Sequence, residues 1–142
     1  MAILSKDRIT LNANAVDKAD AIRKAGALLV NSGCVLAPYV DGMLAREETM
    51  STCLGNGVAI PHGIFENRED ILKTGISVVQ LANAVDWGEG EQVTMVIGIA
   101  AVGDEHVGVL ANLAEVIDDE TSLAEMLSAT DPEIIVRYLG AN

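Results

Sequence analysis

A chain of 142 residues, half of them apolar, is the size of one domain and can bury a sizeable core. Its formal net charge of −12 argues against nucleic acid and anionic membrane surfaces, which need clustered cations, and favours partners with basic faces. Cys34 and Cys53 form no C-x-x-C pair, so reduced thiols are expected in place of a disulfide framework or a zinc knuckle.

The amino-terminal MAILSKDRIT lacks the apolar stretch of a signal peptide, and no apolar run reaches the roughly 18 residues that a bilayer span needs. A cytoplasmic protein without direct membrane insertion is therefore expected. With aromatics at only 3 %, the core must come from Val, Ile, Leu, Ala and Met, which suits helices packed on a buried sheet.

In chain order, a weak strand signal lies within residues 3–11. Asp17 then reads as the N-cap of a helix to about Asn31, with Ile22, Ala25 and Leu29 on one face and Gly33 past its end. A second helix follows Pro38 and covers Tyr39 to Met50. The segment Leu54-Gly-Asn-Gly-Val-Ala-Ile-Pro-His62-Gly63 is a short apolar run between glycine-rich turns. Pro61 lacks an N–H and biases Ile60 toward extended backbone, so the strand should end where His62 emerges.

Two β-branched-rich runs, residues 75–82 and 93–101, lack alternation and read as central strands covered on both faces. Three helices are expected after them. Asp104 is placed to cap the first, whose stripe is His106, Leu110, Leu113 and Ile117. Ser122-Leu-Ala-Glu125 has the capping-box spacing for the second, and Asp131-Pro132 starts the third, which should stop at Gly140. Helices early, strands in the middle and helices late imply one domain over residues 1–142. The expected class is α/β: a three-layer α/β/α fold with a small mixed sheet and helices on both faces.

Few residues offer chemistry. His62 sits at a strand end, where α/β folds usually place their sites, and Gly63 beside it leaves room for a close macromolecular approach. A Pro-His-Gly tripeptide alone is also compatible with a structural histidine. His106 falls in the first turn of its helix, where orphan N–H groups attract anions, although a half-buried histidine heading a core-facing stripe fits the same spacing. Arg46 is the lone cation in residues 25–67; its planar fork suits phosphoryl oxygens, and an ordinary pairing with Glu47 or Glu48 would equally explain it. Glu47-Glu48 and Asp118-Asp119-Glu120 read as solvated faces, and Trp87 as packing a turn. There is no G-x-x-x-x-G-K-[ST] loop, no G-x-S-x-G elbow and no H-E-x-x-H, so nucleoside triphosphates, serine hydrolysis and zinc are poor fits.

Taken together, these segments resemble the IIA component of the bacterial phosphoenolpyruvate:sugar phosphotransferase system, of the mannitol/fructose type. The resemblance runs over residues 3–139. Its most specific part is the ten-residue segment ending in His62-Gly63, with Ala45-Arg46-Glu47 and Asp104-Glu105-His106 in support. Val85-Asp-Trp-Gly and the strand after it resemble the mannitol branch most.

The resemblance implies that His62 accepts a phosphoryl group from the phosphohistidine of HPr. His62 would then pass it to a cysteine of a IIB domain of a membrane permease, driving uptake of a sugar alcohol such as mannitol. Arg46 and His106 would stabilise the phosphoryl oxygens, with no cofactor and no metal. The alternative is a nitrogen-type regulatory IIA protein, in which the same phosphorylation controls binding to other proteins. Many relatives are fused to the membrane-spanning IIC and IIB parts, so the chain reads as a free-standing component or as one such domain.

Overall fold

A computed structural model describes residues 3–140. A five-stranded mixed sheet forms its centre, in the order β1-β4-β5-β3-β2. The strands are β1 (Ile9–Ala13), β2 (Cys53–Gly55), β3 (Val58–Ala59), β4 (Gly75–Gly88) and β5 (Glu91–Ala100). β4 and β5 pair antiparallel with Val79 opposite Val96, while β1 on β4 and β3 on β5 are parallel.

The two unalternating runs are explained by the two cores they serve. On β5, Met95, Ile97 and Ile99 face one layer, made by α3 (Glu105–Asp118), α4 (Glu120–Leu127) and α5 (Pro132–Leu139). Val96 and Ala100 face the other, where α1 (Lys18–Asn31) and α2 (Pro38–Thr49) contribute Ile22, Ala25, Leu29 and Met43. Both faces are covered, so successive residues are all apolar. α1 rides close on the sheet because Gly98 faces it: a Cβ there would lie 2.6 Å from Ser77 Oγ, and that hydroxyl donates to Ala25 O at 2.8 Å. The three-layer α/β/α expectation holds. Among the described residues no helix is long and apolar enough to cross a membrane.

Several local readings need correction. The strand expected within residues 3–11 starts only at Ile9, after a 3-10 turn at Lys6–Arg8. The apolar run before His62 is a hairpin: Asn56 and Gly57 both have positive φ, at 56° and 82°, in a two-residue turn joining β2 to β3. β4 runs on to Gly88, past the exposed Ala82, Asn83 and Ala84, with Val85 and Trp87 again turned inward.

At the helix ends, Asp104 makes no side-chain cap. α4 starts at Glu120 because Asp119 accepts from Thr121 and Ser122 N–H, so the capping box proposed at Ser122 is not the one used. Asp17 and Asp131 cap as expected. The α3 stripe is rotated slightly, with Val109, Leu113 and Ile117 buried and Leu110 only partly so.

Candidate active site

His62 lies just beyond β3, where the chain still follows β5. Ile99 N–H donates to Pro61 O at 3.0 Å, and His62 pairs with Ile99 in a single parallel bridge. Pro61 costs the strand nothing here, since the ladder uses its carbonyl and does not need an N–H. The His62 Nδ1 stands 2.8 Å from Ile60 O. A carbonyl only accepts, so Nδ1 carries the proton and Nε2 keeps the free lone pair.

His106 is the second residue of α3, and its ring centroid lies 5.0 Å from that of His62, the planes tilted by 60°. The loop that carries it is braced from β4's side: Thr74 Oγ1 accepts from Val102 N–H at 2.9 Å and donates to the Glu105 carboxylate. Arg46, in the last turn of α2, donates from Nη1 to Met50 O at 2.6 Å.

Burial holds the His62 pKa below the usual 6.5, with the charges of His106 and Arg46 adding to the effect against the Ile60 hydrogen bond. His106 is lowered for the same reasons, burial first and then Arg46. One guanidinium thus acts on both rings, and both are neutral near pH 7. The structure brings together all three residues singled out in the sequence.

A cleft of about 340 Å³ opens beside this group, lined by Tyr39, Ile64, Arg68, Ile71 and His106 among others. Among the described residues no set of three or more His, Cys, Asp and Glu is grouped to hold a metal. Two residues to which the sequence reading gives no part in the site stand close by. Glu47 was read as solvated but is 5 % exposed. Its carboxylate accepts from Thr52 N, Thr52 Oγ1 and Trp87 Nε1, with Lys18 Nζ at 3.6 Å. Trp87 is accordingly a buried partner of α2 and does more than pack a turn. Tyr39 is 2 % exposed and bonds to the backbone beside His62. The only sequence signal for either was position: an acid next to Arg46, and an aromatic at the start of a helix after proline.

The family model described as the phosphoenolpyruvate-dependent sugar phosphotransferase system, EIIA 2, matches residues 2–141. The chain belongs to this family. It is 38 % identical over 136 residues to the mannitol-specific phosphotransferase enzyme IIA component of Bacillus subtilis, covering 96 % of this chain and 95 % of that one. It is 48 % identical over 131 residues to the multiphosphoryl transfer protein of Haemophilus influenzae, covering 92 % of this chain. The chain spans about a quarter of that relative's length, 26 %. The solved complex of enzyme IIA mannitol with phosphorylated enzyme IIB mannitol from Escherichia coli has a chain of the same fold. It superposes with a TM-score of 0.90 at 36 % identity, over 96 % of each chain. In this EIIA 2 member His62 and His106 lie side by side next to β5, with Arg46 in the last turn of α2.

Proposed function

We propose that this single-domain chain is a cytoplasmic phosphocarrier, accepting a phosphoryl group on His62 from phosphorylated HPr and donating it to the cysteine of a IIB domain. The observation that carries this is the pairing of two imidazoles 5.0 Å apart, one with Nδ1 tied to Ile60 O. The Nε2 lone pair of His62 attacks phosphorus, and the P–N bond to the HPr imidazole breaks with its electron pair returning to that nitrogen. Positive charge grows on the His62 ring as Nε2 bonds phosphorus. The Nδ1–H bond to the Ile60 carbonyl strengthens with it. In the second step a IIB thiolate attacks phosphorus, and the P–N electron pair returns to Nε2.

His106 donates a ring N–H to the phosphoryl oxygens, aided by the open N–H groups of the first turn of α3. Arg46 exchanges its Met50 carbonyl for a phosphoryl oxygen pair. The carbohydrate is read by the permease that carries IIB, and mannitol is the sugar alcohol to try first. The regulatory alternative has less support, because the relatives described above are phosphoryl-transfer proteins. A purified relay of HPr, this chain and candidate IIB domains tests the reading. Label that reaches the chain but no IIB domain would sink the transport role.

Two substitutions separate the supporting groups. His106→Gln keeps an N–H donor and loses the nucleophile. Phosphorylation of His62 should survive while transfer to the IIB cysteine slows about 10- to 1,000-fold, as for loss of part of a charge-stabilising site. An unchanged rate would return His106 to a packing role. Arg46→Ala should slow transfer on the order of 100-fold and weaken HPr binding less, with Arg46→Lys rescuing poorly because a point charge cannot replace a fork. Transfer at the wild-type rate in Arg46→Ala would leave Arg46 as a helix-end residue only.

A further inference from the structure

Tyr39 is the second residue of α2, and its phenol reaches across to the sheet. The hydroxyl donates to Ile99 O at 2.8 Å and accepts from Gly63 N–H at 2.9 Å. Ile99 is the β5 residue that pairs with His62, and its own N–H is already bonded to Pro61 O. The next rung of a parallel ladder would join Gly63 N–H directly to Ile99 O. Here the phenol oxygen bonds to both ends of that rung, Gly63 N–H and Ile99 O.

The ring itself fits only because residue 63 has no side chain. A Cβ on Gly63 would lie 2.6 Å from Tyr39 Cε1 and 3.0 Å from Cζ. Burial pushes the phenol above its usual pKa, against the Gly63 bond, and so keeps it a hydrogen-bond donor.

We propose that Tyr39 is a positioning residue for phosphoryl transfer: its hydroxyl, wedged between Gly63 N–H and Ile99 O, fixes the backbone that aims the His62 imidazole. The chain of cause is short. Residues 60–63 run from the carbonyl that holds Nδ1 to the amide that holds the phenol. Removing the hydroxyl leaves the buried Ile99 carbonyl and the half-buried Gly63 N–H seeking each other, and tightening that rung draws His62 and Gly63 toward β5. The Ile60 O to Nδ1 distance then changes, and with it the tautomer and the direction of Nε2. A displacement of about 1 Å can cost on the order of 100-fold in a step that depends on alignment.

The proposal rests on His62 as acceptor, and its test separates the two. Tyr39→Phe keeps the ring against Gly63 and removes only the hydroxyl. Rapid-quench transfer from phosphorylated HPr, over a range of donor concentrations, should show kcat lowered about 10- to 100-fold with KM unchanged. Nitrogen-15 spectra of the histidine side chains at neutral pH should show one His62 tautomer, Nδ1–H, in the wild type and a mixture in Tyr39→Phe.

An unchanged kcat overturns the proposal even if Tm falls, because the hydroxyl is then only structural. A lowered kcat with an unchanged His62 tautomer overturns it too. If the wild type itself takes no phosphoryl group, the reading of His62 fails, and the tautomer comparison still decides Tyr39. Should Tyr39→Phe not fold, 3-fluorotyrosine at position 39 in a Tyr138→Phe background weakens acceptance from Gly63 without changing the shape. The Gly63 amide and His62 Nδ1 resonances should then move together, and a stationary His62 signal would refute the link.

Discussion

The His62→Ala chain is expected to gain no phosphoryl mass from phosphorylated HPr, with its rate of acceptance down at least about 1,000-fold. The fold should survive, since the half-buried ring makes one side-chain hydrogen bond, to Ile60 O, and lies outside both core clusters. Thermal melting should therefore shift little. The wild-type comparison carries a pH signature. Nucleophilic attack needs the neutral ring, and burial holds the His62 pKa below 6.5. The neutral form thus remains the majority at pH 6.5, where an unperturbed imidazole would be half protonated, and its loss is displaced to lower pH. Titration of the His62 ring by NMR checks the sign: a midpoint at or above 6.5 contradicts it. A mass gain in His62→Ala equal to wild type would overturn the acceptor assignment, and a phosphoryl group found on His106 would exchange the two roles.

The sequence made the site legible for reasons that do not extend to its supports. His62 and His106 are the two histidines of the chain, Arg46 is the lone cation in residues 25–67, and each sits where a local signal points: a proline-ended strand, the first turn of one helix, the last turn of another. The layers were equally readable, since unbroken β-branched runs imply two covered faces. Tyr39 and Glu47 were invisible because their partners are distant. The phenol bonds residues 24 and 60 positions away, and Glu47 meets Trp87 from 40 away. Hydrophobic periodicity says nothing about such pairs. It also misread Glu47, whose acidic type matches an exposed face while its burial is decided by three segments converging on it. The Ser122 capping box failed for a local reason: Asp119 starts the helix three residues earlier and takes the Ser122 N–H that the Glu125 side chain would have accepted from.

Glu47→Ala is expected to be the most destabilising single change in the active-site half of the molecule. Its carboxylate gathers the amide and hydroxyl of Thr52 and the Trp87 indole, and stands 3.6 Å from Lys18 Nζ. These groups belong to α1, the chain entering β2, and β4, so one side chain ties α2 to three neighbours. Alanine leaves the indole and amide N–H without partners in an interior site, while Lys18 keeps its bond to Trp87 O. Removing one member of such a buried cluster costs about 3–5 kcal/mol. For a chain of this size that is a fall in Tm on the order of 10–20 °C.

Glu47→Gln divides the effect. The amide oxygen still accepts from Thr52 N and Trp87 Nε1, and its NH₂ donates to the Thr52 hydroxyl, which turns to accept. Only the attraction to Lys18 disappears, and at 35 % exposure of that side chain it is screened, so the cost should be under about 1 kcal/mol. Equal losses in the two variants would show that charge, and not the hydrogen bonds, holds this corner together. Because Arg46 is the preceding residue, the alanine variant should also slow phosphoryl transfer below its unfolding temperature, and the glutamine variant should not. Wild-type transfer in folded Glu47→Ala would show that the end of α2 keeps Arg46 in place without this anchor.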